Sequence, residues 1–216
     1  MKKQFFKTLA ALTMIFSISL TGSAKVLAMS FPDVAADHWA RYYIMKMEQK
    51  KIINGYEDGT FRPEDLVTTG EFIKMVAMSY YPDYQYVAPS PDEEDGCHWS
   101  KPYVLLLDNK MLRAEDYDDV RMERVITRGE TTSILCYLYS LSNLNDPEKS
   151  KFDKSEEYIK QLTDEADITD PEMRVHINTC IKNGIINGFL DGTFRKDEGL
   201  TRAQAAKIIY YARYSL

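Results

Sequence analysis

The chain is poor in the residues from which metal and redox centres are built: three cysteines and three histidines in 216 residues. Cys97, Cys136 and Cys180 show no CxxC or Cys/His spacing, and His38, His98 and His176 are widely separated. No metal site and no cofactor are expected from such a set. Cys136 and Cys180 fall in apolar helical stretches, where cysteine behaves as a small hydrophobe, and all three are read as structural. Positive charge is also short, with 27 Lys and Arg against 33 Asp and Glu. That balance argues against a nucleic-acid partner, because such binding is dominated by neutralising phosphates. An anionic ligand would need a local pocket and could not rely on the overall field.

Long apolar runs are missing after the first 28 residues. Lys2, Lys3 and Lys7 precede an apolar run from Leu9 to Leu20, and Val26-Leu27-Ala28 ends it with a small-x-small pattern. This order reads as a secretory signal peptide over residues 1–28. The run is shorter than the ~20 apolar residues of a spanning helix. Removing it takes away Lys2, Lys3, Lys7 and Lys25, so 23 basic residues face 33 acidic ones, a charge of −10. The expectation is a secreted protein at the cell surface, with no membrane insertion after cleavage.

What the chain does have is a repeat. Ile52-Ile53-Asn54-Gly55-Tyr56-Glu57-Asp58-Gly59-Thr60-Phe61-Arg62 returns without a gap as Ile185-Ile186-Asn187-Gly188-Phe189-Leu190-Asp191-Gly192-Thr193-Phe194-Arg195. A weaker copy lies between them, giving three units of about 55 residues each. Their bounds are 29–82, 83–142 with its linker, and 143–216 with its linker. Each reads as helix, loop, helix: Trp39–Lys51 then Thr68–Ser79, Trp99–Met111 then Thr127–Leu141, Glu172–Asn183 then Thr201–Tyr214. A further surface helix is expected around Ser155–Leu162. One helix pair alone would be marginal, so the three are expected to close around a pseudo-threefold axis.

The second helices start on Thr68-Thr69-Gly70-Glu71, Thr127-Arg128-Gly129-Glu130 and Thr201-Arg202-Ala203-Gln204. Thr followed three residues later by Glu or Gln is a capping box, which explains these six end residues structurally. Arg128 and Arg202 stand against the positive end of the helix dipole, which is mildly unfavourable. Free backbone N–H groups plus a guanidinium at one helix start would suit a carboxylate or phosphate. Gly59 and Gly192 could let backbone approach a ligand, although turn geometry also explains them. Asp58 and Asp191 lack the further carboxylates of a calcium loop. Trp39 and Trp99 could be core residues or platforms for the apolar face of a sugar. A glycan hydrolase would need paired carboxylates, yet Glu71 and Glu130 are explained by capping and Gln204 cannot act as an acid.

Together these residues resemble the S-layer homology (SLH) domain family. Phe31-Pro32-Asp33-Val34, His38-Trp39-Ala40 and Gly55–Pro63 match in the first unit. His98-Trp99-Ser100 and Thr127–Glu130 match in the second, Gly188–Arg195 and Thr201–Gln204 in the third. The resemblance implies an all-α domain of three repeats around a central three-helix bundle. It implies non-covalent attachment to Gram-positive cell wall through a secondary polysaccharide, often pyruvylated, held in grooves between repeats. Arg128, Arg202, Trp39, Trp99, Asp58, Gly59, Asp191 and Gly192 are the implied polysaccharide-binding residues, and no enzymatic activity is implied. A self-associating surface-layer subunit, or an adaptor for other surface proteins, is the alternative. Thr69 replaces arginine in the first unit, Arg113–Val125 replaces the Gly-rich loop in the second, and Glu172 replaces tryptophan in the third. At most two competent grooves are expected.

Overall fold

A threonine caps the second helix of each unit, as the local i to i+3 pattern requires. The computed structural model describes residues 31–85, 98–108 and 111–214. In chain order, α1 is Arg41–Gln49, α2 Thr69–Tyr80, α3 Lys101–Leu107 and α4 Asp119–Glu123. They are followed by α5 Arg128–Ser142, α6 Pro171–Lys182 and α7 Arg202–Tyr214. Among the described residues the other regular elements are short 3-10 turns and isolated β-bridges, so the chain is all-α. Reciprocal capping is complete at α2 and α5. At α7, Gln204 N–H donates to Thr201 Oγ1 at 3.2 Å and Thr201 N–H donates to Gln204 Oε1 at 3.1 Å.

The residues just before these caps hold the three units together. Val67 N–H donates to Leu200 O at 2.8 Å, Leu200 N–H to Ile126 O at 3.3 Å, and Ile126 N–H to Val67 O at 3.1 Å. The three bonds close a ring, and all three side chains are buried. One residue into each helix the pattern repeats: Thr69 N–H donates to Arg124 O, Arg128 N–H to Glu198 O, and Arg202 N–H to Asp65 O. The helix-start N–H groups expected to be free for an anion are therefore taken. Backbone carbonyls of a neighbouring unit use them, which satisfies buried donors without a ligand.

Helix packing crosses the unit boundaries. Each first helix rests on the second helix of another unit: α3 on α2, α6 on α5, and α1 on α7. α7 also packs against α2 and α5. The helix–loop–helix unit is thus a unit of sequence, and the packed helix pair is made between units. Phe61, Phe72 and Phe194 are among the largest fully buried side chains of the core.

Two expectations fail locally. Ser155–Leu162 is not an α-helix; only Ile159–Gln161 forms a 3-10 turn there. Glu156 has a left-handed φ of 58°, and the Asn178 side chain captures the N–H groups of Tyr158 and Ile159. α3 ends at Leu107 because Asp108 turns extended and its carboxylate accepts from Ala114 N–H. The leader, Cys97 and the acidic run 92–95 lie outside the described residues.

Cys136 on α5 and Cys180 on α6 meet with sulfurs 3.3 Å apart, both free and buried. Burial, followed by the hydrogen bond to Cys136, pushes the Cys180 thiol well up. Neither thiol should react with an alkylating reagent in the native protein at neutral pH, and both should react after denaturation. Rapid native-state labelling of either, read by peptide mass spectrometry, would contradict this packing.

Candidate functional site

Two loops share one construction. Asp58 Oδ1 accepts from Thr60 N–H and Oγ1 at 2.9 and 2.6 Å, and its Oδ2 accepts from Arg62 Nη2 at 2.9 Å. Asp191 does the same with Thr193 and Arg195 at 3.0, 2.6 and 2.8 Å. These bonds, the threonine hydroxyls first, hold both carboxyls well below the usual range. Both carboxylates are thus committed inside their own loops. Gly59 and Gly192 have φ of 80° and 83°, the left-handed region that disfavours a side chain. A Cβ on Gly59 would meet nothing within 4 Å, so conformation and not close approach accounts for this glycine.

Each loop is also clamped by an upstream aspartate. Asp33 accepts from Phe61 and Arg62 N–H at 2.8 and 2.6 Å; Asp164 accepts from Phe194 and Arg195 N–H, both at 2.8 Å. Neither aspartate stood out as a site residue in the sequence. Asp164 lies 131 positions after Asp33, not 133, and that slip hides the correspondence.

The two arginines plug these loops from other units. Arg202 reaches the first-unit loop, donating from Nε to Phe61 O at 2.9 Å and from Nη2 to Asn54 O at 3.1 Å. Arg128 reaches the third-unit loop, donating to Phe194 O and Asn187 O, each at 2.9 Å. Arg202 lies over the Tyr56 and Phe61 rings, Arg128 over Phe189 and Phe194. They are only 8% and 5% exposed. Their neutralisation differs. Arg202 Nη1 has Glu71 Oε1 at 3.6 Å, and Glu71 also accepts from the Tyr56 hydroxyl. Arg128 has no carboxylate ion pair among the described residues, and Gln204 holds the position that Glu71 occupies in α2. Burial pushes Arg128 down to about 10, so it stays protonated at neutral pH.

Two lysine–tryptophan pairs complete the surroundings. Lys74 on α2 has its ammonium 5.8 Å from the Trp99 ring, and Lys207 on α7 is 5.7 Å from Trp39. Trp99 and Trp39 are 41% and 51% exposed, so they are not core residues. His98 and His38 brace them, their Nε2 atoms facing Glu123 at 2.6 Å and Glu64 at 3.3 Å. Arg202, the 54–62 loop, α2 and Trp99 therefore border a first crossing between units. Arg128, the 187–195 loop, α7 and Trp39 border a third. No single unit carries a full residue set, yet these two crossings each assemble one.

The second groove collects all three departures. Thr69 occupies the arginine's place and donates its hydroxyl to Arg124 O. The loop is replaced by a 3-10 turn and α4, and α6 brings Glu172 in place of tryptophan. A cavity of about 680 Å³ remains, lined by residues including Arg113, Arg121, Tyr117, Tyr137, Glu172 and His176. Arg121, which sequence reading missed, restores a guanidinium from within the unit. It stacks 4.3 Å from Tyr117, donates to Asp116 O at 2.8 Å and lies 3.9 Å from Glu130. The one signal for it was the arginine density of 113–124.

Acid should loosen this architecture. Burial alone would raise Glu130, but hydrogen bonds from Arg124 and from Thr127 N–H outweigh it and hold its carboxyl low. Asp58, Asp191 and Glu156 are also depressed, through hydrogen bonds from Thr60, Thr193 and Arg174. A depressed carboxyl contributes stability above its unfolded pKa that is lost as pH falls through the folded one. The melting temperature should hold near neutral pH and drop below about pH 4. A flat profile down to about pH 2 would contradict these pairings.

The model of the S-layer homology domain matches residues 30–73 and 162–206. These two stretches match the S-layer homology domain. The unmatched middle stretch contains the second-unit loop and the displaced arginine cluster. An S-layer protein, EA1 of Bacillus anthracis, is 26% identical over 83% of this chain and 20% of its own length. A cellulosome-anchoring protein of Acetivibrio thermocellus is 24% identical over 52% of this chain and 26% of its own. An amylopullulanase of Thermoanaerobacterium thermosulfurigenes is 26% identical over 84% of this chain and 9% of its own. The chain thus spans a quarter or less of the length of most of these relatives. No described helix is long and apolar enough to cross a membrane, and no described group of three His, Cys, Asp or Glu could hold a metal.

Proposed function

We propose that this S-layer homology protein works at the cell surface, holding itself non-covalently to the wall by binding an acidic wall polysaccharide in its first and third grooves. The observation that carries this reading is Arg128, a buried guanidinium with two carbonyls, two aromatic faces and no carboxylate partner among the described residues. Glu198 and Asp164 act on Arg128 without a direct ion pair; a buried charge not directly paired is costly, and a ligand carboxylate would offset that cost. Nη1 is the donor it leaves, since Nε and Nη2 are used. A pyruvate ketal on a sugar supplies such a carboxylate on a compact ring, with Trp39 as the stacking face and Lys207 beside it. The cyclic hydrogen bonds before α2, α5 and α7 support the pseudo-threefold arrangement that would repeat this site. The relatives similar to this chain are named as an S-layer protein, a cellulosome-anchoring protein and an amylopullulanase, and these names share no reaction. That favours attachment over catalysis as the role of the shared part.

Calorimetric titration with released wall polysaccharide tests the reading. Binding should disappear when the polymer's carboxylates are reduced to alcohols, and most of it when mild acid removes ketal-linked pyruvate. Affinity that survives carboxylate reduction would refute the anion site.

A further inference from the structure

We propose that the second groove is a separate ligand site of inverted charge preference, taking a sugar that carries a free, protonated amine. Equivalent positions carry the inference. Where the other grooves set Lys74 beside Trp99 and Lys207 beside Trp39, the second sets Ser133 opposite Glu172. A cation and an indole are replaced by a hydroxyl and a carboxylate, at a crossing that has also lost the trans arginine to Thr69. The remaining charges are already engaged. Arg113 is paired with Asp116 at 3.0 Å, Glu130 with Arg124, and the Asp170 carboxylate caps α6. Glu172 alone among the lining carboxylates has no ion pair or side-chain hydrogen bond among the described residues.

The cavity wall points to a polar ligand. His176 lines the cavity, its ring packed against Tyr137 and Phe152 and making no hydrogen bond among the described residues, which leaves its nitrogens available to a ligand. Arg121 Nε is buried without a partner in the same wall. Buried polar groups are rarely left unpaired, and a ligand bearing hydroxyls can supply the missing bonds. Tyr137 lines the cavity as an aromatic surface for a sugar ring, and 680 Å³ accommodates one or two rings. The amine would meet Glu172 at the rim while ring hydroxyls reach His176 and Arg121. From the proposed function this takes only the view that these crossings hold sugars.

The test titrates glucosamine and N-acetylglucosamine separately into the full chain, followed by NMR and calorimetry. Glucosamine should bind with a dissociation constant on the order of 1 mM. The acetylated sugar, which has lost the charge, should bind at least about threefold more weakly. Glu172→Gln, a rim change that spares the fold, should weaken glucosamine to a similar degree, and Ser133→Lys should abolish its binding. Arg128→Lys and Arg202→Lys, each titrated at a temperature where its own melting curve shows it folded, should leave it unchanged, which separates this site from the anionic grooves. Equal affinity for the two sugars, indifference to Glu172→Gln, loss in the arginine variants, or no binding of glucosamine at about 10 mM would each overturn the proposal.

Discussion

Arg202→Ala should unfold the protein at a markedly lower urea concentration, with a stability loss of about 3 kcal/mol or more. The side chain is buried and bridges the carbonyls of Phe61 and Asn54 from a helix 141 residues away in sequence. Removing it leaves two carbonyls without their charged donor and a gap between Tyr56 and Phe61. Charge-assisted hydrogen bonds are worth about 1.5–3 kcal/mol each, and a buried group left unpaired costs further. Glu71 would also lose its partner at 3.6 Å. Arg202→Lys should recover less than half of the loss, since one ammonium cannot span the fork that holds both carbonyls. A loss below about 0.5 kcal/mol, the scale of a surface change, would mean that the arginine does not lock the first-unit loop.

The second large effect concerns binding. Arg128→Lys should weaken the acidic wall polysaccharide at least about tenfold, or 1.4 kcal/mol. Arg202→Lys should cost less, because Glu71 already neutralises Arg202 whereas Gln204 stands at the matching place near Arg128. The same asymmetry predicts that bound polysaccharide raises the melting temperature of the wild type more than that of Arg128→Lys. Each variant is compared at a temperature where its own melting curve shows it folded, so lost structure is not read as lost affinity. Equal effects of the two substitutions would contradict the role given to the unpaired guanidinium.

The elements that were legible in the sequence are those governed by short-range chemistry. Thr68, Thr127 and Thr201 announce their helices because capping acts over three residues. The Asp-Gly turns are equally local, with φ above zero at Gly59 and Gly192. The helical class follows from the same periodicity that marks α1, α2, α5, α6 and α7. The long-range partners were not legible. Nothing near Arg128 in sequence says that it will be buried against carbonyls 59 and 66 residues away, and isolated arginines are usually exposed. The crossing of helices between units was hidden for the same reason, as periodicity reports which face is buried and not what covers it. Ser155–Leu162 has helical composition, but the amide of Asn178, about twenty residues on, takes its N–H groups.

The departures from the repeat gain meaning only in three dimensions. Thr69, the 113–125 loop and Glu172 belong to three different units, and by sequence each weakens its own. The structure places all three at one crossing, so the departures fall together on the second unit's loop.

Co-sedimentation of the protein with Gram-positive wall sacculi, before and after acid stripping of their secondary polysaccharide, addresses the central claim most directly. Binding to intact sacculi that vanishes on stripping, and that falls sharply in Arg128→Lys, is the predicted result. Binding that survives stripping, or that is undiminished in a folded Arg128→Lys, Arg202→Lys double variant, would contradict a polysaccharide anchor in these grooves.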